Sequence, residues 1–139
     1  MKTLSENDLY RITEANETDA AAAVKLANAW GELVAGDVWE EKILLDMVRD
    51  GRAKAATVQD QSGPVYVIFY GVNALGWLFV HALIALRAGE MSVAEKACCD
   101  LARLENCAVI QCVTIRPGLF RFLGGLGYKP LGVVMIKNL

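Results

Sequence analysis

Histidine is almost absent from this chain, with His81 the only one in 139 residues. A catalytic or metal-binding set built on several imidazoles is therefore excluded. The four cysteines, Cys98, Cys99, Cys107 and Cys112, contain no Cys-x-x-Cys pair. They do not form a zinc-ligand pattern and read as reduced core thiols, the usual habit of free cysteine. No metal is expected, and a reducing compartment such as the cytoplasm is the expected setting. Excess charge of one sign is also missing: 14 basic against 16 acidic residues give a net charge of −2 and a pI near 5.4. That balance removes the basic footprint of a nucleic-acid binder. Charges are mixed along the chain, so neither end reads as an electrostatic arm. Met1–Tyr10 is polar and does not read as a signal peptide. No repeat, linker or low-complexity segment is visible, and 139 residues suit a single domain, 1–139.

What the chain has in excess is apolar surface, 55% hydrophobic against 22% charged. Such a balance fits either a well-buried core or a face that meets another apolar surface. The longest uncharged run, Gln61 to Leu86, is long enough to span a bilayer. Gly63-Pro64 at its start and Gly71, Asn73 and Gly76 inside it argue against one continuous helix. Val65-Tyr66-Val67-Ile68-Phe69-Tyr70 is β-branched or aromatic, so two buried strands joined by a turn are expected, not a membrane span.

The remaining elements follow from period and punctuation. Tyr10–Ala15 reads as a first strand, with Asn16–Thr18 as a break. Asp19–Val34 reads as a helix, with Ala20, Ala23, Val24, Ala27, Trp30 and Val34 on one face. Asp37 and Glu40 form a capping-box pattern ahead of a second helix, striped by Trp39, Ile43, Leu44, Met47 and Val48. Gly51 stands where a left-handed cap would end it. Lys54–Asp60, Val65–Val72 and Trp77–Leu86 read as three strands with turns between them. Ser92, with Glu95 three residues on, predicts the start of a third helix whose inner face runs Val93, Ala94, Ala97, Cys98, Leu101, Ala102 and Leu104. Ala108–Ile115 is the next strand. Pro117 opens a short helix to about Leu126, and Tyr128–Lys137 is the last strand. The expected fold class is α/β (α+β): a mixed, mostly antiparallel central sheet with helices on both faces.

Two stretches carry a family likeness. One is Tyr10-Arg11-Ile12-Thr13-Glu14-Ala15 followed by Asp19-Ala20-Ala21-Ala22-Ala23-Val24. The other runs from Phe120 through Leu126-Gly127-Tyr128 to Met135. With the element order, they resemble the GNAT N-acetyltransferase superfamily over nearly the whole chain. The resemblance implies acetyl-CoA bound where the third helix begins, in a loop of pattern Gln/Arg-x-x-Gly-x-Gly/Ala, whose small residues let a diphosphate reach backbone N–H groups.

The equivalent stretch here is Arg87-Ala88-Gly89-Glu90-Met91-Ser92, with Glu90 at the first glycine position and Ser92 at the Gly/Ala position. At ~5 Å and an effective dielectric of about 20, a carboxylate against one phosphate charge costs roughly 3 kcal/mol, less where solvent screens it. The family's acidic tyrosine position falls on Leu123, and its asparagine position on Arg116; neither side chain can give up a proton near neutral pH. His81 is the one candidate base, set against a core histidine as the alternative. Trp30, Trp39 and Trp77 are expected to be packing residues, and Arg116 and Arg121 a solvated face.

Two functions remain open. The resemblance extends, through Arg121-Phe122-Leu123, to small GNAT-like virion or assembly proteins of tailed phages. That reading implies lost acetyl-CoA chemistry, no cofactor, virion-associated localisation, and protein partners or a homo-oligomer. The other is an active N-acetyltransferase. There Arg87, Gly89 and Ser92 would hold the cofactor phosphates, strand amides near Leu83–Ala85 the pantetheine, and His81 would act as base. An active enzyme requires an open cleft between the strand ending at Leu86 and the one starting at Ala108. In a binding protein that cleft can be filled by Met91 or Leu119.

Overall fold

A computed structural model describes residues 2–34, 41–112, 117–130 and 137–138, with the side chains of 27, 30–34 and 117–120 outside that description. Six strands form one sheet in sequence order: β1 (Thr3–Glu6), β2 (Arg11–Glu14), β3 (Lys54–Asp60), β4 (Gly63–Val72), β5 (Leu78–Ala85) and β6 (Ile110–Cys112). Every neighbouring pair is antiparallel except β5–β6, which is parallel. The helices are α1 (Glu17–Val34), α2 (Glu41–Arg49), α3 (Met91–Leu104) and α4 (Pro117–Gly125). The expected fold class, mixed and mostly antiparallel with helices on both faces, is the one observed.

Alternation along the strands divides the core in two. On one face Ile12, Ala56, Val58, Ile68, Tyr70 and Leu78 pack under Ala94, Ala97, Cys98, Leu101 and Ala102 of α3. On the other, Ala55, Val67, Phe69, Ala82 and Ile84 meet Ala20, Ala23 and Val24 of α1 and Leu44 and Leu45 of α2. Ile68, Phe69 and Leu101 are fully enclosed. Burial of each such side chain stabilises the fold by about 1.5–3 kcal/mol. The alanines of α1 and α3 let both helices approach the sheet closely.

Several expectations need correction. The strand β1 was not anticipated; its Thr-Leu-Ser-Glu sequence is short and mostly polar, and it is held by backbone pairing to β2 at the sheet edge. Helix α1 starts at Glu17, two residues early, because Asn16 accepts the Asp19 N–H through Oδ1 at 2.8 Å. In α2 the buried pair is Leu44 and Leu45, while Ile43 is 59% exposed, so the stripe is rotated from the one read. Ser92 does not cap α3: Glu90 holds the cap position, with extended backbone and no side-chain cap bond. Leu104, expected inside, is half exposed on the last turn of α3.

Other signals act as read. Gly51 takes φ +74° after α2, and Gly127 takes φ +94° after α4. Tyr128 N–H then reaches back to the Leu123 carbonyl at 3.1 Å, and Gly127 N–H to that of Gly124 at 3.2 Å, a Schellman closure. Pro117 opens α4 as expected. The Asp37–Glu40 cap, Val113–Ile115 of the expected fifth strand, and residues 131–136 of the last one lie outside the described residues.

Candidate functional site

The site proposed by sequence lies along β5 and the turn into α3. Pairing of β4 with β5 proceeds from Tyr66↔Ala85 to Phe69↔Ala82, then resumes at Tyr70↔Val80. His81 is the extra residue, so β5 carries a β-bulge there. The described part of the parallel ladder to β6 covers Leu78↔Ile110, Phe79↔Gln111 and Val80↔Cys112. Bulges bend a strand and re-aim its side chains, and they recur beside active sites. The strand change is visible in the packing: Val80 and Leu83, three apart, both pack toward α3, while Ala82 and Ile84 pack toward α1 and α2.

His81 is half-buried, its ring tilted against Phe79 with centroids 4.8 Å apart. Gly71 on β4 gives it room: a Cβ built there would stand 3.4 Å from His81 Nε2 and 3.0 Å from the Arg52 carbonyl oxygen. Burial, and secondarily the Arg52 charge, push the imidazole below its usual 6.5. It is therefore neutral at physiological pH, the form that can accept a proton.

Beyond His81, Leu86 N–H donates to the Val65 carbonyl at 2.9 Å, facing β4. By strand alternation the backbone groups of Leu83 and Ala85 face the other way, toward the β6 side. Residues expected to act together are held apart: Arg87 follows His81 by six positions, roughly 20 Å of extended strand.

Arg87 is exposed but fully engaged. Its guanidinium is ion-paired to Asp60 and donates to the carbonyl oxygens of Gly63 (3.4 Å) and Pro64 (3.3 Å). Asp60 also accepts the Ser62 N–H at 2.7 Å, and these bonds, Arg87's first, hold its carboxyl below the ordinary range. Gly89 is required by packing: a Cβ there would fall 2.6 Å from Val65 Cγ2 and 3.0 Å from the Tyr66 hydroxyl. Glu90 is exposed at the start of α3, and Ser92 is the second helical residue, half-buried.

Asp60 is the residue that sequence reading missed. Arg87 comes opposite Pro64, within reach of the preceding turn, only in the register set by the bulge at His81, since counting outward from the Asn73–Gly76 turn without it gives Gly63. No signal in the sequence marks that bulge.

The thiols are placed for packing. Cys98 is buried and its pKa pushed up to about 12, chiefly by desolvation. Cys99 is raised to about 11 by burial and by its bond to Glu95, whose Oε1 it approaches at 3.1 Å. Tyr128 Oη lies 3.4 Å from the same oxygen, and burial drives this phenol far up. No group of three potential metal ligands occurs among the described residues. Trp77 is half-buried; the side chains of Trp30, Trp39 and Arg116 lie outside the described residues, and Arg121 is exposed.

No protein-family model matches the sequence, and no curated protein matches it. Solved structures do. A possible acetyltransferase from Clostridium difficile 630 superposes with a TM-score of 0.66, covering 94% of this chain and 97% of that one at 14% identity. A GCN5-related N-acetyltransferase from Ralstonia eutropha JMP134 gives 0.62 over 94% and 98% at 12% identity. AAC(6')-Iy, in complex with the bisubstrate analogue CoA-S-monomethyl-acetylneamine, gives 0.59 over 94% and 97% at 10% identity. At such identities the likeness is one of fold: the chain has the fold of GNAT acetyltransferases.

Proposed function

We propose that this chain is a single GNAT-like domain that has given up acetyl-CoA chemistry and works through contacts with other proteins. A phage virion or assembly component is the kind of role this fits, and the partner is either another protein or a second copy of the chain. The observation that carries the reading is the state of the β5–α3 turn. Acetyl-CoA is the cofactor its fold implies, and the residues at the turn do not suit its diphosphate. Arg87 is already neutralised by Asp60, Gly89 is packed down on Val65 and Tyr66, and Glu90 adds a negative charge beside the first amides of α3. An anion there meets a carboxylate instead of a cation. Fold alone licenses no activity.

The far end of the sheet supports the binding half of the reading. The crossover returns the C-terminus of α3 to the end where β5 begins. There Leu75 is 69% exposed, Val72 and Leu104 are half exposed, and Val109 is 39% exposed. Four of the eight large apolar side chains exposed among the described residues fall at this end, and a gathered set marks an interaction surface more readily than scattered ones do. Among the described residues no helix is long and apolar enough to cross a membrane, and a cytoplasmic or virion location remains part of the proposal.

A second reading, an active acyltransferase acting on an amine, is favoured by one observation: the β-bulge that sets His81 apart in β5. Turnover separates the two. Release of free CoA from acetyl-CoA, followed with a thiol reagent and a panel of primary amines, is expected to stay at the background rate. Turnover that disappears in His81→Ala would establish the enzyme instead.

A further inference from the structure

The β5–α3 turn is fastened at two neighbouring points to the β3–β4 hairpin. Arg87 grips the Asp60 carboxylate and the Gly63 and Pro64 carbonyls, and its third nitrogen reaches the Ala88 carbonyl at 3.5 Å. Two residues on, Gly89 sits against the Val65 and Tyr66 side chains with no space for a Cβ. Asp60 is itself preset, because the Ser62 N–H fixes its carboxylate from the turn side. The Arg87 and Asp60 side chains keep 36% and 34% of their surface exposed, so the pair sits at the surface of the turn.

All four Arg87 contacts are acceptors supplied by the protein itself. Guanidinium has no acceptor capacity and binds carboxylate or phosphate by the same fork of donors. A carboxylate held in that fork and an incoming phosphate therefore compete for one set of N–H groups. We propose that Asp60 is an internal stand-in for an anionic ligand: it occupies Arg87 and clasps the turn to the sheet, closing this end of the molecule to phosphate-bearing ligands. The inference rests on the non-catalytic reading above and makes Asp60 one of its causes, beside Gly89 and Glu90.

The test is calorimetric titration of CoA into the full-length wild type, Asp60→Asn, Asp60→Ser and the double variant Asp60→Asn/Arg87→Ala. Asparagine and serine keep an acceptor for the Ser62 amide while removing the charge, and circular dichroism checks that each variant is folded. The clasp predicts that both single variants bind CoA at least about tenfold more tightly than wild type, and that the double variant loses the gain. Single variants no tighter than wild type, or a gain that survives without Arg87, would overturn it. The two claims fail separately. Micromolar binding by the wild type would sink the non-catalytic reading, while the ratio of variant to wild type would still judge the clasp.

Discussion

The two ends of the central sheet differ in how much apolar surface they leave exposed. At the end where β5 runs into α3, polar groups satisfy one another: Arg87 with Asp60, Arg11 with Glu6 at 3.6 Å, and the Asn7 side chain with the Leu9 and Tyr10 amides. At the opposite end, Leu75, Val72 and Val109 stand in solvent near the Asn73–Gly76 turn, and Leu104 is half exposed at the C-terminus of α3. The turn itself is well made, with Asn73 accepting the Leu75 and Trp77 amides and donating to Gln111 at 3.0 Å. In a fold whose ligand is anionic, the first end should be open and electropositive, and the second unremarkable. Here the first holds the Arg87–Asp60 pair and a single exposed apolar side chain, Leu9, while the second exposes four apolar side chains beside the Lys54–Glu105 ion pair. That difference agrees with the proposed change of role from cofactor binding to protein contact.

The comparison can be broken most forcefully at Gly89. If its glycine serves only the approach of a ligand, Gly89→Ala should leave stability unchanged. The packing instead demands a shift of Val65 or Tyr66, so a loss of about 1–3 kcal/mol in denaturant unfolding is expected. A change within about 0.5 kcal/mol would mean that the turn is looser than described.

A smaller effect sharpens the account of His81. Its folded-state pKa lies below 6.5, so on acidification the unfolded chain takes up the proton first. Its contribution is complete above pH 6.5 and declines as pH falls through the lowered folded value. Since no other histidine exists, the slope of stability against pH just below 6.5 belongs to this residue, apart from the carboxylates further down. Replacing His81 with Gln should flatten that slope, and an unchanged slope would place the imidazole in an ordinary aqueous setting.

The smallest change in stability is expected at the apolar end. Leu75→Ser removes little buried surface and should move the unfolding free energy by no more than about 0.5 kcal/mol. Sedimentation velocity supplies the sharper readout: if a second copy is the partner, the same substitution weakens self-association.

How much of this was legible depended on whether the signal was local. The β4–β5 pair announced itself through a β-branched and aromatic run, and Gly51, Gly127 and Pro117 each marked a terminus that the backbone requires. The edge strand β1 could not be read, because Thr3–Glu6 owes its conformation to pairing with β2 and carries no apolar alternation of its own. Ser92 misled because the capping-box pattern ignores where the chain leaves the strand, and Glu90 reached the cap position first. The bulge at His81 and the Arg87–Asp60 pair are products of register, which individual residue types do not encode. Glu90, by contrast, was legible at once, since a carboxylate at a phosphate-binding turn conflicts with its chemistry wherever the backbone runs.

The most direct measurement of the central claim is a calorimetric titration of acetyl-CoA into the purified wild-type chain at moderate salt. The account predicts no saturable heat up to millimolar ligand. A dissociation constant in the micromolar range would contradict it and return this chain to the working acetyltransferases.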